Sequence, residues 1–180
     1  SLRTTKSVRT ITTVGVPTNA PTGTFPIAQS DPVYVYDRNP NVITPKSIAV
    51  TVPRYPRVAT KPGCLSLGAI GYTVNGVAIF NGLDAENRDA VAHEMQDLCD
   101  GHPERSGQYH YHSGSRCAVK KAMGTSTLYG YALDGFGIYG PKADGNRRLK
   151  NSDLDACHGH SHEIQWDGAR RLMYHYHFAD

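Results

Sequence analysis

The 180-residue sequence lacks any long apolar run, any Cys-x-x-Cys pair and any strong excess of charge of one sign. A membrane-spanning helix needs about 20 predominantly apolar residues, and no run here approaches that length. The net charge is only +3, and basic pairs such as Arg147-Arg148 and Arg170-Arg171 are scattered along the chain. Because nucleic-acid binding requires a concentrated basic surface, we predict neither a membrane span nor a nucleic-acid partner.

Common cofactor and nucleophile motifs are also missing, since there is no P-loop and no Gly-x-Ser-x-Gly elbow. Residues 135–140 match the Gly-x-Gly-x-x-Gly pattern of dinucleotide sites. That pattern requires a helix immediately afterwards, whereas Pro141 and a polar turn follow here. We therefore predict no nucleotide cofactor, and the sequence names no protein or small-molecule partner.

The four cysteines form an even set, which argues against a zinc-thiolate knuckle and allows two disulfides. Cys99 and Cys117 flank a histidine-tyrosine motif described below and are predicted to pair, which would leave Cys64 with Cys157. This is one of three connectivities, and buried free thiols are the alternative. Disulfides would place the protein outside the cytosol, as a secreted, periplasmic or cell-surface protein. No Asn-x-Ser/Thr sequon adds independent support.

The remaining patterns favour a mainly β fold with one helix. Residues 1–32 are rich in Thr and Pro and predict an extended arm, lying on the domain or partly disordered, whereas residues 33–180 predict a single domain. Val33 to Tyr36 and Ser47 to Val52 are β-prone runs between prolines. The one helix candidate runs from Ala85 to Leu98, with Asp84 as its cap.

Two segments of the chain carry the same ordered series of signals. Gly71 to Phe80 aligns without gaps to Gly130 to Tyr139, and each contains a hairpin dipeptide, Asn75-Gly76 or Asp134-Gly135. The second signal is Asp97-x-Cys99-x-Gly101-His102, matched by Asp155-x-Cys157-x-Gly159-His160. The third is Tyr109-His110-Tyr111-His112, matched by Tyr174-His175-Tyr176-His177. We interpret this as a tandem duplication, with repeats at about 64–117 and 118–180 forming two β halves related by a pseudo-two-fold axis.

With these motifs the chain resembles the YHYH-domain family, which is named for the Tyr-His-Tyr-His strand. The resemblance extends from about Val16 to the end and includes Cys99-x-Gly101-His102-Pro103 and the stretch Leu133-Asp134-Gly135-Phe136. It implies a secreted or exported bacterial protein, but no assigned chemistry. Similar proteins often continue beyond the second motif, so a short further carboxy-terminal segment is expected after Asp180.

The histidine-tyrosine strands predict a metal site. Residues i and i+2 of a strand point to the same face, so His110 and His112 project together, as do His175 and His177. Imidazoles are good ligands for zinc and copper. If the strands meet near the pseudo-axis they would form one four-histidine site; if they stay apart, each pair needs another ligand. The alternative is an amphipathic strand whose imidazoles hydrogen-bond within the fold.

Further ligand candidates lie in the loops. His102 and His160 follow the cysteines at matching positions, and the second loop also contains His158, His162 and Glu163. Asp97 and Asp155 would either accept a ring N–H from a ligand histidine or form turns. His93 has no counterpart and is predicted to be ordinary surface. Calcium is less expected than zinc or copper, because Asp144-Gly145-Asn146 does not continue into a calcium loop.

Three functions remain open, and a metal-binding protein with a closed site is favoured because no distinctive catalytic group accompanies the ligands. A metal-dependent enzyme, either a zinc hydrolase or a copper oxidase, would need an open coordination position, with Glu163, His158 or His162 as the candidate base. A structural or adhesive extracellular module is the third. Since the second loop is richer in histidine, the second half is predicted to be the active one if the halves differ.

Overall fold

The computed structural model describes residues 1–118, 127–143 and 147–178, so the Asp144 to Asn146 segment considered for calcium lies outside the described residues. The fold is β-rich, with a three-stranded sheet, an eight-stranded sheet and one short α-helix among these residues, as predicted. The strands are β1 (Leu2–Thr4), β2 (Val8–Thr13), β3 (Ile48–Pro53), β4 (Ala69–Thr73), β5 (Ala78–Phe80), β6 (Gly101–Pro103), β7 (Tyr109–Tyr111), β8 (Leu128–Ala132), β9 (Gly137–Tyr139), β10 (Gly159–Trp166) and β11 (Ala169–His177), and the helix is α1 (Ala90–His93). No helix in these three ranges is long and apolar enough to cross a membrane.

The large sheet has the strand order β10-β11-β9-β8-β4-β5-β7-β6. Its centre is the antiparallel pair of β4 and β8, where Tyr72 lies opposite its sequence counterpart Tyr131. On either side, a hairpin strand pairs in parallel with a histidine-tyrosine strand, β5 with β7 and β9 with β11. The outer strands β6 and β10 then pair antiparallel with β7 and β11. The two halves therefore have the same strand order about the central pair, while their origin by duplication stays a prediction.

The two central hairpins form where the sequence predicts them. Gly76 and Gly135 have φ values of +93° and +96°, which glycine adopts without steric cost, and their turns connect β4 to β5 and β8 to β9. A third hairpin connects β10 to β11 through Asp167 and Gly168, both with positive φ. This Asp-Gly dipeptide is the same type of hairpin signal as Asp134-Gly135, although the repeated motifs do not include it.

The first residues of the Thr/Pro-rich segment, predicted as an extended arm, form two β-strands. β1 and β2 pair with each other, and β2 pairs with β3, which confirms the strand predicted at Ser47 to Val52. The strand predicted at Val33 to Tyr36 is wrong, because Pro32–Val35 is a 3-10 helix. Asp31 accepts a hydrogen bond from the Val33 N–H and Pro32 begins the turn, a combination that favours helical geometry.

The small sheet packs against the large one. Ile11 and Val52 share a buried apolar cluster with Tyr72, Tyr131 and Trp166. The buried Arg9 guanidinium lies 5.2 Å from the centroid of the Tyr131 ring and 4.6 Å from that of Trp166. Cation–π contacts of this kind, together with the shared core, attach the amino-terminal strands to the sheet that carries the histidines.

The helix is much shorter than predicted. Asp89, not Asp84, accepts the capping hydrogen bonds, from Val91 N and Ala92 N. The Asp84 carboxylate instead accepts from the backbone N–H groups of Glu86 and Arg88, which fixes a turn before the helix. Val91 and Leu98 are 50% and 85% exposed, so the apolar face predicted for a longer helix has no core to pack against.

One of the two predicted disulfides is present. Cys99 and Cys117 are bonded, with a Cα–Cα distance of 5.1 Å. The predicted Cys64–Cys157 bond is absent, and both of these thiols are free and exposed. Cys64 precedes β4 and Cys157 precedes β10, strands four positions apart in the sheet, or about 19 Å. A disulfide requires Cα atoms within about 7 Å, so this topology disfavours the bond.

Candidate metal centres

The tyrosines of each Tyr-His-Tyr-His segment attach the strand to neighbouring turns. The Tyr109 hydroxyl donates to Asp97 Oδ2 at 2.8 Å, and the Tyr174 hydroxyl donates to Asp155 Oδ2 at 2.9 Å. The Tyr176 hydroxyl donates to Asp134 Oδ2 in the β8–β9 turn at 2.6 Å. Because side chains alternate along a strand, these contacts leave the histidines on the opposite face.

Asp97 and Asp155 are turn residues rather than partners of a ring N–H. Asp97 Oδ1 accepts from the backbone N–H of Cys99 at 2.8 Å and of Gly101 at 3.2 Å. Asp155 Oδ1 accepts from Cys157 and Gly159 in the same way, at 2.8 and 3.1 Å. A Cβ atom at Gly101 would collide with the Tyr109 ring, which explains the glycine in this motif.

The first histidine cluster combines His102 on β6 with His110 and His112. His102 lies directly opposite His110 in the β6–β7 register, and His112 follows the end of β7. The ligand nitrogens of these three residues lie within 4.8 Å of one another. His102 and His110 are 3% and 2% exposed, and the Phe80 ring stacks on His110 with a centroid distance of 3.8 Å.

A carboxylate that sequence reasoning missed lies beside this cluster. Glu94, the residue that ends α1, places Oε2 at 3.1 Å from His112 Nε2 and at 3.5 Å from His102 Nε2. Glu94 is one of four acidic residues within the predicted helix, and no repeated motif distinguishes it from the others. The fold brings it to the histidines because the chain leaves α1 at Glu94 and turns toward β6.

The second cluster is formed by four histidines on two paired strands: His160, His162, His175 and His177. His160 on β10 lies directly opposite His175 on β11, and the four ligand nitrogens lie within 4.8 Å of one another. His175 and His177 are buried, whereas the β10 pair is partly exposed. Tyr139, at the position equivalent to Phe80, places its ring 5.1 Å from the His175 ring.

Backbone carbonyls determine which ring nitrogen is free. Nδ1 lies near a carbonyl oxygen in five of these histidines: His110 to Gln108 at 3.1 Å, His112 to Asn81 at 2.6 Å, His162 to Glu163 at 3.0 Å, His175 to Met173 at 3.1 Å and His177 to Gly140 at 2.6 Å. A carbonyl oxygen can only accept, so Nδ1 carries the hydrogen. In a neutral imidazole the proton is then absent from Nε2, whose lone pair points into the cluster.

Burial favours the neutral form of the His110, His175 and His177 imidazoles. It lowers the pKa of His110 well below its ordinary value, and it lowers the pKa of His175 to about 3 and that of His177 to about 4. His110 Nε2 and His112 Nε2 nevertheless lie only 3.0 Å apart. In the second cluster the Nε2 atoms of all four histidines are buried without a hydrogen-bond partner. Converging lone pairs of this kind are stabilised by a shared cation.

The two clusters are separate, so the interpretation as one four-histidine site at the pseudo-axis is wrong. β7 and β11 are five strand positions apart, which corresponds to about 24 Å. The histidines of each histidine-tyrosine strand instead lie beside histidines from their own half. His102 and His160 lie where the repeated loop motif predicts them, each in the cluster of its own half, and His162 joins the second cluster.

Two other candidates, His158 and Glu163, lie outside the clusters, as does His93. His158 is exposed, has a φ of +59° and contributes only its carbonyl, which accepts from His177 N. The exposed Glu163 carboxylate pairs with Arg170 at 2.9 Å. His93 lies at the exposed end of α1, as expected for ordinary surface.

The fold and the two clusters define a β-rich protein with histidine groups suited to holding metal ions. A family model described as "YHYH protein" matches residues 49–151, and the chain belongs to this family. The matched region includes the first cluster and ends before β10 and β11, which carry the second. No curated protein and no solved structure matches the chain.

Proposed function

We propose that this protein binds two transition-metal ions, one in each histidine cluster. The observation that carries the proposal is the convergence of histidine side chains into two groups, and in the second group all four Nε2 atoms are buried without a hydrogen-bond partner. The Nδ1 contacts to backbone carbonyls orient each ring, as outer contacts do for histidine ligands of metals. Without an ion, the lone pairs would repel one another at a buried site.

Zinc and copper are the metals that suit these ligands. Imidazole nitrogen is a good ligand for both, and a set of three or four imidazoles matches their usual coordination numbers. Calcium requires six to eight oxygen ligands, and neither cluster offers them among the described residues. We therefore propose zinc or copper as the bound ion.

We favour metal binding over metal-dependent catalysis. His102 and His110 are almost completely buried, and Glu94 lies at the remaining side of the first cluster. In the second cluster four imidazoles are enough to complete a tetrahedral shell. A substrate would have to displace a ligand at either site. An extracytoplasmic location is part of the proposal, since the Cys99–Cys117 disulfide requires an oxidising compartment.

The test is the metal content of the purified protein after dialysis against zinc. We expect two equivalents for the natural sequence and one for each of His110→Ala and His175→Ala, measured by plasma mass spectrometry. His93→Ala removes an exposed histidine outside both clusters and should retain two equivalents. Retention of both ions in the two cluster variants would refute the ligand assignment.

A further inference from the structure

The two clusters differ at one ligand position. His102, His110 and His112 correspond in register to His160, His175 and His177. The position that corresponds to His162 in the first half is Glu104. Its carboxylate turns away from the cluster and accepts from the backbone N–H groups of Ser106 and Gln108 at the β6–β7 turn. The first cluster therefore contains three imidazoles, whereas the second contains four.

Glu94 takes the place of the missing imidazole. Its Oε2 atom is buried, has no hydrogen-bond partner that satisfies it, and lies within 3.5 Å of two Nε2 atoms. The equivalent segment of the second half has the 3-10 helix Asn151–Asp153. The Asp153 carboxylate accepts hydrogen bonds from Arg147 Nη1 at 2.8 Å and from Lys150 N at 2.9 Å. The carboxylate ligand is thus particular to the first half.

We propose that Glu94 is the fourth ligand of the first centre and makes the preference of that centre for copper over zinc weaker than that of the all-imidazole second centre. This proposal rests on the proposed function. A divalent ion bound by three imidazoles and one carboxylate retains a charge of about +1, against about +2 with four imidazoles. Copper(II) binds most tightly of the divalent first-row ions to either donor set, but a carboxylate oxygen suits harder ions than an imidazole nitrogen does. Replacing one imidazole by a carboxylate should therefore narrow the difference between the copper and zinc affinities.

The first experiment measures the zinc affinities of the two centres by competition with a chromophoric chelator. Glu94→Gln keeps the shape of the side chain and removes its charge, and we expect it to weaken one of the two sites by roughly 10- to 100-fold. Glu86→Gln is the matched control, because the Glu86 side chain is 70% exposed and pairs with Arg88. It should leave both affinities within about twofold of the original.

The second experiment titrates copper(II) into protein that is loaded with two equivalents of zinc and measures the zinc released. In the natural sequence copper should displace zinc from one site at a lower concentration than from the other. Glu94→His should bring the two displacement steps together by making the first site easier to displace, and His162→Glu should make the second site harder to displace. Circular dichroism of each metal-free variant checks that the fold is retained.

The outcomes separate the two proposals. If the natural sequence takes up neither metal, the proposed function itself fails. If it binds two ions but Glu94→Gln and Glu86→Gln behave alike, Glu94 is not a ligand while the two centres stand. Displacement of zinc from both sites at the same copper concentration, unchanged in Glu94→His, would overturn the assignment of metal preference.

Discussion

Single imidazoles in this protein are held in one tautomer by backbone carbonyls and in one protonation state by burial. His175 and His177 illustrate both effects, since each donates through Nδ1 to a carbonyl, and their low pKa values follow mainly from burial. A neutral ring with a fixed Nε2 lone pair is prepared for a metal. In the absence of metal, the same burial becomes a source of acid sensitivity.

We predict that the metal-free protein loses stability as the pH falls from about 6.5 toward 4. The folded protein keeps His175 and His177 neutral down to pKa values of about 3 and 4, whereas the unfolded chain binds protons near the ordinary value of 6.5. The unfolded state therefore takes up more protons over this interval and is stabilised relative to the folded state. Urea unfolding of chelator-treated protein at pH 7.5, 6 and 5 measures the slope.

Two variants make this pH test specific. His177→Gln should flatten the dependence of the free energy of unfolding on pH, because one of the responsible rings is removed. His93→Gln alters an exposed ring and should leave the slope as it was. An equally steep slope in His177→Gln would show that other groups cause the acid sensitivity.

The two faces of each histidine-tyrosine strand carry different side chains, which make different contacts. Its histidines face the candidate metal centre, and three of the four tyrosines in the two strands donate hydroxyl hydrogen bonds to acidic turn residues. In the first half, Asp97 receives hydrogen bonds from Tyr109 and from the backbone of the loop that carries His102. One carboxylate thus links strand and loop, which explains why the two motifs recur together in the sequence.

Tyr109→Phe should lower the free energy of unfolding by about 1.5 to 3 kcal/mol, the range for a hydrogen bond to a charged group. The ring would still fill its fully buried position, so the loss isolates the hydroxyl contact with Asp97. Urea denaturation of the metal-free protein measures the change. Tyr36→Phe, at an 86% exposed position, should change stability by less than about 0.5 kcal/mol, and a similar small effect at Tyr109 would contradict the role given to this contact.

Short sequence signals predicted the strands and turns that carry the candidate site. They did not predict the features that depend on contacts between residues far apart in the sequence. Asn75-Gly76 and Asp134-Gly135 specify turns by their own backbone preferences, so both hairpins could be predicted. The helix could not be delimited, because its apolar positions would need a core that the fold does not supply. Glu94 escaped detection because only the folded chain brings it beside His102 and His112.

At the scale of the whole molecule, the central β4–β8 pair separates the two centres. Each histidine-tyrosine strand lies beyond a hairpin strand on its own side, about 24 Å from the other across the sheet. The repeated motifs indicated two similar halves, but they did not indicate whether the histidines would meet. Whether the histidines meet depends on which strands pair at the centre of the sheet. The hairpin strands β4 and β8 pair there, so the histidine-tyrosine strands lie apart.

Contacts between the two sheets could not be predicted from the amino-terminal segment either. The alternation of Arg9, Ile11 and Thr13, buried along β2, was obscured by the Thr and Pro composition around it. Arg9 Nη2 donates to Asp167 Oδ1 at 2.8 Å, and Arg54 Nε donates to Asp167 Oδ2 at 2.8 Å. Asp167 lies in the β10–β11 turn, so a single carboxylate connects the small sheet to the hairpin of the second centre.

Asp167→Asn should therefore lower the free energy of unfolding by about 2 to 3 kcal/mol, since it leaves the 1% exposed Arg9 side chain without its anion. Asparagine tolerates the positive φ of +52° at this position, so the turn itself is preserved. Asp100→Asn is the matched control, because Asp100 also has a positive φ, +64°, but its partner Arg116 is 68% exposed. That pair is screened by solvent, so its loss should lower the free energy of unfolding much less than the loss of the Arg9 contact does. Guanidinium unfolding of both variants makes the comparison, and equal losses would mean that Arg9 does not depend on Asp167 to hold the sheets together.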